Sequence, residues 1–437
     1  MKVQFHTAAL RYRSIPEGSG PSSTYAIVGL GYVGLPTAFE LRASGSSVIG
    51  IDIDPARLAA IRDGRFDRAS IDSSIDTGID EKFVLTTDMG AIRRADGIVI
   101  AVPTPTDDEH RPDQDALERA CAAVVAHARA DQTIILVSTS SIGTTRRLLV
   151  EPLHERGLRV GTDVFVAFSP ERLNPGSVTG TQRRVPRVVG GTTPACTRAA
   201  ARIVGQMSSG VHQVNSPEAA EMTKLVENTF RAVNIALANE FAEAARAHRI
   251  EIREVLDAAA SKPYGFMPFD PGPGVGGHCI PCDPYYLLES IRGERLYAPV
   301  VEQAMLTIAA RPAKVVERAM SLLERDGLEP AGARVALFGL AYKSGVGDVR
   351  ESPSTAIAAL LRARGVDVVA HDPCVDHDVP DRTGRPIANM KLGALDGVDL
   401  AVVLTTPSVA ARSWIDRADR VLDATYSFET RNGLEAL

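Results

Sequence analysis

The run GPGVGGHCIPCDPYYL, residues 272–287, sets His278, Cys279, Cys282 and Asp283 within six consecutive positions of a glycine-rich stretch. Several chemistries are open to such a set. His278, Cys279 and Cys282 have a spacing that some zinc sites use, but a closed tetrahedral site needs a fourth ligand and the chain has no second Cys/His cluster. A redox Cys-x-x-Cys opens a helix after a strand, whereas Gly276, Gly277, Pro281 and Pro284 predict a tight loop. Two buried structural cysteines are the plainest alternative. A single nucleophile reads better: Cys279, with Asp283 four residues on to orient water or an ammonium, in a loop whose glycines let a ligand come close. A thiolate beside a hydride acceptor would oxidise an aldehyde through a thioester, and no metal is then called for.

Other residues match that chemistry. Lys224 and Asn228 stand at i and i+4 of a predicted helix, so an ammonium and an amide project from one face and can meet one oxyanion. Glu171, in FSPERLNPG just past a strand end, can act as a general base; on its own it could equally be a helix-start carboxylate or a surface charge. AIVGLGYVGLP places Gly29, Gly31 and Gly34, with Tyr32 and Val33 between them, after a strand and at the start of a helix, where a pyrophosphate meets the helix N-terminus. Asp52 ends the next strand about 20 residues on, where a carboxylate bonds ribose hydroxyls and repels a 2′-phosphate, so the cofactor is expected to be NAD. Arg57, five residues after Asp52, can lie along the adenosine or be an ordinary solvated helix arginine. AVPTP, with Pro103 and Thr104, and STS, with Thr139, end later strands at the carboxyl edge where ligands of such sheets collect.

These residues need a scaffold to position them. Apolar strand-length runs (YAIVG, SVIGID, GIVIAVP, TIILVSTS, VFVAFSP, RVVGG) alternate with helical periods over 32–44, 55–63, 114–129 and 144–157, which predicts βαβ units and a parallel sheet covered on both faces. Residues 217–248 lack glycine and internal proline and repeat apolar residues at helical spacing, so one long helix is expected, suited to join two domains and to pair with a second subunit. A further helix is expected over 299–325. RVALFGLAY, a helix over 353–364, VDVVAHDP, LAVVLTTP and RVLDAT repeat the rhythm of strand, glycine turn, helix, strand and Asp. The reading is thus α/β: two doubly wound, Rossmann-like parallel-sheet domains at 24–212 and 330–437, a helical middle domain at 213–329 and a polar tail at 1–23.

With 437 residues the chain is too long for one core. A net charge of −6 leaves no basic surplus for nucleic acid or anionic lipid. No apolar run reaches the roughly 20 residues of a membrane span, residues 1–23 lack the apolar centre of a secretory signal, and five scattered cysteines suit a reducing compartment, so a cytoplasmic protein with a small-molecule partner is expected.

GLGYVGLP, SPERLNPG, the Lys224/Asn228 pair, GVGGHCIPCDPYYL and GLAYKSGVGDVRESP, in that order, resemble the UDP-sugar 6-dehydrogenases over almost all of the chain after residue 23. The resemblance implies a four-electron oxidation of the C6 alcohol of a UDP-sugar to a carboxylate, with two NAD consumed. It implies that Cys279 captures the aldehyde, that Lys224 and Asn228 stabilise oxyanions, that Asp283 and Thr139 position a base-acting water or lysine, and that Glu171 assists thioester hydrolysis. It also implies Lys343 near the substrate, Arg350 at the cofactor pyrophosphate, and homodimers through the long helix. ENTFRAVNIALANE and the 262–287 segment look more like the branch acting on UDP-N-acetylhexosamines, UDP-N-acetylglucosamine above all. UDP-glucose dehydrogenases commonly carry a lysine where Cys282 stands and an acid where Pro175 stands. Arg231, the 264–270 loop with Tyr264 and Phe269, and Gly276 are the expected sugar contacts. Two departures fall in the substrate half: Thr425 stands where many members have arginine, and LTTPS lacks a frequent Thr-Asp-His. A one-step dehydrogenase using only lysine and asparagine, and an NAD-binding scaffold without activity, are the rival readings.

Overall fold

A computed structural model describes residues 23–66, 71, 74–107, 109–172, 185–277, 279–429 and 433–437. Within them the chain forms two compact units, one of residues 23–227 with 285–296, the other of 228–284 with 297–437.

The first unit runs β1 (Thr24–Val28), α1 (Gly34–Ala43), β2 (Ser47–Ile51), α2 (Pro55–Arg62), β3 (Phe83–Thr86), β4 (Gly97–Ile100), α3 (Asp115–His127), β5 (Thr133–Leu136), α4 (Glu151–Glu155), β6 (Phe165–Phe168), β7 (Arg187–Gly191), α5 (Pro194–Val204) and β8 (Val211–Val214). Its eight strands lie in the order β3-β2-β1-β4-β5-β6-β7-β8. Alternate residues of β1 feed opposite cores, Ala26 and Val28 one, Tyr25 and Ile27 the other, so the sheet is covered on both faces. The expected all-parallel sheet needs one correction: β7 runs antiparallel to β6. An antiparallel return needs no crossover helix, and the sequence between these strands has no helical period. β3 and β8 escaped the sequence reading because both are short edge strands; β8 is VHQV, with an exposed histidine and glutamine in place of an apolar run.

α6 (Pro217–Ala247) is the long helix, 31 residues, and takes part in both units. The second unit continues with α7 (Ile252–Ala260), α8 (Cys279–Gly293, shared with the first unit) and α9 (Pro299–Arg325). Then come β9 (Arg334–Phe338), α10 (Pro353–Ala363), β10 (Asp367–His371), β11 (Val379–Pro380), β12 (Pro386–Asn389), β13 (Leu400–Val403), α11 (Val409–Ile415), β14 (Val421–Asp423) and β15 (Leu434–Ala436). The strand order is β11-β12-β10-β9-β13-β14-β15, parallel except for β11 against β12.

The shared rhythm of the two sheets is real at atomic level. Gly29, at φ +89°, donates its N–H to the Ile51 carbonyl at 2.8 Å, and Asp52 accepts from the Leu30 N–H at 2.8 Å. Gly339, at φ +110°, donates to the His371 carbonyl at 3.0 Å, and Asp372 accepts from the N–H groups of Leu340 and Ala341, both at 2.9 Å. Each glycine adopts the positive-φ backbone that turns the chain at the end of its strand, and each aspartate ties that turn to the neighbouring strand. No helix among the described residues is long and apolar enough to cross a membrane.

Candidate active site

In the first unit, the turn between β1 and α1 is built for a phosphate. A side chain at Gly29 would strike the Ala101 carbonyl oxygen at 2.6 Å, and one at Gly34 the Gly29 carbonyl oxygen at 1.8 Å. These two glycines serve the packing of the fold. At Gly31 nothing lies within 4 Å of the place a Cβ would take, so the backbone there is open to a ligand in front of the helix N-terminus. Tyr32 is 38% exposed and Val33 is the N-cap of α1. Asp52, half-buried, accepts from Leu30 on one carboxylate oxygen and from the Asp54 N–H, at 3.0 Å, on the other, which aims it along the end of β2. Arg57 donates from Nε to the Leu30 carbonyl at 3.0 Å and so braces the same turn. Ile53 stands beside Asp52, almost wholly exposed. These residues fit a dinucleotide: an open backbone cradle, a carboxylate at the carboxyl end of the next strand and an exposed apolar neighbour.

Pro103 is exposed and Thr104 buried after β4; the Thr104 carbonyl accepts from the Tyr286 hydroxyl at 3.2 Å. Thr139 is buried in the turn after β5. Glu221 of α6 anchors that turn: wholly buried, it accepts from the Gly143 N–H at 2.6 Å, the Thr145 N–H at 2.8 Å and the Thr145 hydroxyl at 2.6 Å. Burial pushes its carboxyl above the usual range, and the three donors oppose that shift. Three residues on, Lys224 is buried as well. The outer part of α8 is stitched to the same turn, with Glu289 accepting from the Ser141 hydroxyl at 2.9 Å and the Ser290 hydroxyl accepting from the Ile142 N–H at 3.2 Å.

Glu171 is neither a surface charge nor a helix-start residue. Its side chain is 4% exposed, faces the Arg187 guanidinium at 3.0 Å, and accepts from the Arg172 N–H at 2.8 Å. Arg187 also reaches Glu40 of α1 at 3.1 Å, so two buried carboxylates share one guanidinium. Arg172 in turn donates to the Pro186 carbonyl at 2.8 Å and pairs with Glu227 of α6.

In the second unit, the expected tight loop around Cys279 gives way to a helix: Cys279 is the first residue of α8. Pro281 is tolerated because the first-turn N–H groups have no intrahelical partner, and Pro284 lies inside the helix. Cys279 is exposed and Cys282 buried. Asp283, fully buried, accepts from the Asn228 side-chain amide at 2.6 Å. Gly276 has no room for a side chain, because a Cβ would meet that of Tyr342 at 2.5 Å and the Glu351 carbonyl oxygen at 2.8 Å, while Gly277 donates to the Arg350 carbonyl at 2.9 Å. The glycines before the helix thus let the 342–351 segment approach.

Arg231 is exposed on α6 and Lys343 half-buried; burial, and then the Arg231 charge, holds the Lys343 ammonium below the ordinary lysine value. Phe269 packs edge-on against Phe230 with ring centroids 5.8 Å apart, and Tyr264 is exposed beneath the Lys262 ammonium. Arg350 is bonded to the buried Asp348 carboxylate, at 2.7 Å from Nη2. At the first departure from the resemblance, Thr425 donates its hydroxyl to Asp423 at 2.6 Å and its carbonyl accepts from Arg253 at 3.3 Å, so a guanidinium does reach this turn, from α7.

Asn228 and Asp283 are thus brought together, as are Lys343 and Arg231; His278 and Pro175 lie outside the described residues. Glu221, Tyr286 and Arg187 were missed. Glu221 had a signal, a charge on the apolar stripe of α6 beside Ala220 and Leu225; nothing local marks the other two.

Family models match three consecutive stretches: the NAD binding domain of the UDP-glucose/GDP-mannose dehydrogenase family over residues 23–208, its central domain over 218–307 and its UDP binding domain over 336–436. The chain is 33% identical to a UDP-N-acetyl-D-glucosamine 6-dehydrogenase of Pseudomonas aeruginosa, over 86% of this chain and 89% of that protein. It is 32% identical to a UDP-N-acetyl-D-mannosamine dehydrogenase of Pyrococcus horikoshii, over 89% and 91%. A solved structure of a UDP-D-ManNAc dehydrogenase from Pyrococcus horikoshii superposes with a TM-score of 0.84 at 30% identity, covering 94% of this chain and 98% of the other.

Proposed function

The chain belongs to the UDP-glucose/GDP-mannose dehydrogenase family, and on that premise we propose that it oxidises the C6 hydroxyl of a UDP-N-acetylhexosamine, UDP-N-acetylglucosamine first among them, to the carboxylate. The observation that carries the reading is the 2.6 Å bond from Asn228 to Asp283. It fixes the amide one helical turn from Lys224 on α6, and the carboxylate one turn from Cys279 on α8.

NAD, when bound, accepts the hydride of each oxidation. Gly31, Asp52 and the N-terminus of α1 would hold it, with Tyr32, Val33, Arg57, Pro103 and Thr104 around it and Arg350 at its pyrophosphate. In the first step the C6 hydroxyl gives up its proton, through water or lysine oriented by Asp283 and Thr139, and Lys224 and Asn228 stabilise the developing alkoxide. Cys279 Sγ then attacks the aldehyde carbon, forming a C–S bond, and the carbonyl oxygen becomes an oxyanion on the same two donors. The second oxidation leaves a thioester on Cys279. Water, assisted by Glu171, attacks that carbon; the C–S bond breaks and the sulfur leaves as thiolate. Lys343 and Arg231 offer two cations to the diphosphate, and Tyr264, Phe269 and Gly276 would line the sugar side. Residues 24–212 hold the cofactor in this reading, 330–437 the nucleotide of the substrate, and 213–329 the nucleophile.

We also infer a homodimer through α6, whose Met222, Val226, Phe230, Leu237 and Phe241 form a stripe 42% to 50% exposed. A cytoplasmic location suits an enzyme that depends on a thiolate. The deciding experiment presents a panel of UDP-sugars with NAD and counts NADH per sugar consumed. Two per UDP-N-acetylhexosamine is expected, and Cys279→Ser should stop at the aldehyde level. A ratio of one in the unaltered enzyme would refute the thioester route.

A further inference from the structure

Cys282 has no part in the chemistry above, yet it is a second thiol on the first turn of the helix that carries the nucleophile. The two sulfurs differ in access, Cys279 exposed and Cys282 only 5% exposed. Cα atoms three residues apart in an α-helix are about 5 Å from each other, inside the roughly 4.4–6.8 Å that a disulfide spans. The orphan N–H groups of a helix N-terminus favour an adjacent thiolate. Pro281 has no N–H to give, and Pro284 cannot supply the bond that the Ile280 carbonyl would receive in a regular helix. An exposed attacking thiol, a buried partner three residues on and a helix that begins at the first of them are the features of a thiol pair that exchanges with a disulfide.

We propose that Cys282 is the resolving thiol of a reversible disulfide with Cys279, formed when a hydroperoxide oxidises the nucleophile. The Cys279 thiolate attacks one peroxide oxygen; the O–O bond breaks, the other oxygen leaves as water or alcohol once protonated, and Cys279 becomes a sulfenic acid. The Cys282 sulfur then attacks the sulfenic sulfur, the S–S bond forms, and the hydroxyl leaves as water with the Cys282 proton. Two electrons pass from the two sulfurs to the peroxide. A dithiol reductant reverses the step by exchange. The disulfide stops thioester formation and keeps Cys279 from the irreversible sulfinic and sulfonic acids. This consequence for activity rests on Cys279 being the nucleophile of the proposed reaction; the disulfide itself does not.

The test treats the full-length protein with a small excess of hydrogen peroxide, then blocks remaining thiols and maps the peptides by mass. The expected product is a cross-link between Cys279 and Cys282, with activity lowered more than about tenfold in step with it and restored by dithiothreitol. In Cys282→Val, basal activity should be unchanged, but peroxide should add two or three oxygens to Cys279 and dithiothreitol should no longer restore activity. Cys374→Ser, which removes the other exposed thiol, should behave as the unaltered protein. Oxygen added to Cys279 without the cross-link, or full recovery of oxidised Cys282→Val, overturns the proposal. The cross-link is read without turnover, so its formation in a protein that makes no sugar-dependent NADH would sustain this inference and sink the proposed function. Two NADH per sugar with no cross-link would do the reverse.

Discussion

Asn228 donates its side-chain amide to Asp283 at 2.6 Å, and Asp283 is wholly buried. The bond joins the two helices that carry the proposed chemistry, and it also gives a donor to one oxygen of a carboxylate removed from water. Asn228→Ala should therefore do two things. It removes an oxyanion donor, which lowers kcat by about 10²-fold, and it deprives a buried carboxylate of a donor, which costs about 1–3 kcal/mol of stability. Steady-state kinetics beside thermal melts check both. An unchanged kcat with a lowered Tm would leave the amide a purely structural role.

Tyr286 is fully buried on α8, and its hydroxyl donates to the Thr104 carbonyl at 3.2 Å, at the carboxyl edge of the first sheet. Removing the hydroxyl in Tyr286→Phe keeps the ring and loosens only the segment around Pro103 and Thr104. About 1 kcal/mol is at stake, so KM for NAD should rise about fivefold, with kcat within a factor of about two. Equal losses in both, or none in KM, would show that this bond does not hold the cofactor-side segment.

Burial, helped by the Arg231 charge, lowers the Lys343 pKa from the ordinary 10.5. As pH rises through the lowered value the ammonium loses its proton sooner than a surface lysine does, and its attraction for a diphosphate goes with it. KM for the UDP-sugar should accordingly climb at alkaline pH, below the range where free lysine titrates. Lys343→Arg keeps the charge throughout and should flatten that climb. The check is KM against pH for both proteins; parallel curves would remove Lys343 from substrate binding.

Most of the strands and the long helix were legible in the sequence, because buried parallel strands read as continuous apolar runs and α6 has no breaker over 31 residues. The glycine turn and Asp52 were legible for a similar reason: a backbone cradle needs fixed residue types at fixed spacing. The start of α8 was misread because Gly and Pro are weighed as breakers, whereas proline in a first turn costs a helix nothing it would otherwise have. Arg187 could not be anticipated, since its two carboxylate partners, Glu40 and Glu171, lie 147 and 16 positions away and only the sheet brings them together. Edge strands such as β8 carry too few buried positions to leave a pattern.

The exposed stripe on α6 sets the last prediction. Leu237 and Phe241 are one turn apart, 42% and 45% exposed, on a helix whose opposite side is buried. A two-fold contact between copies of α6 would cover both residues in each copy, so every substitution acts twice. Covering the exposed part of such a side chain, a little under half of it, is worth about 0.7–1.5 kcal/mol, and a charge in its place must also be desolvated. Leu237→Glu with Phe241→Glu should therefore weaken self-association by at least about 10³-fold and give a monomer in sedimentation at micromolar concentration, where the unaltered chain is expected to be a dimer. Phe230 is left in place because it packs on Phe269, so a loss of dimer is not confused with damage to the sugar side. A monomeric unaltered protein, or a dimer that survives both charges, would show that this face does not hold two copies together.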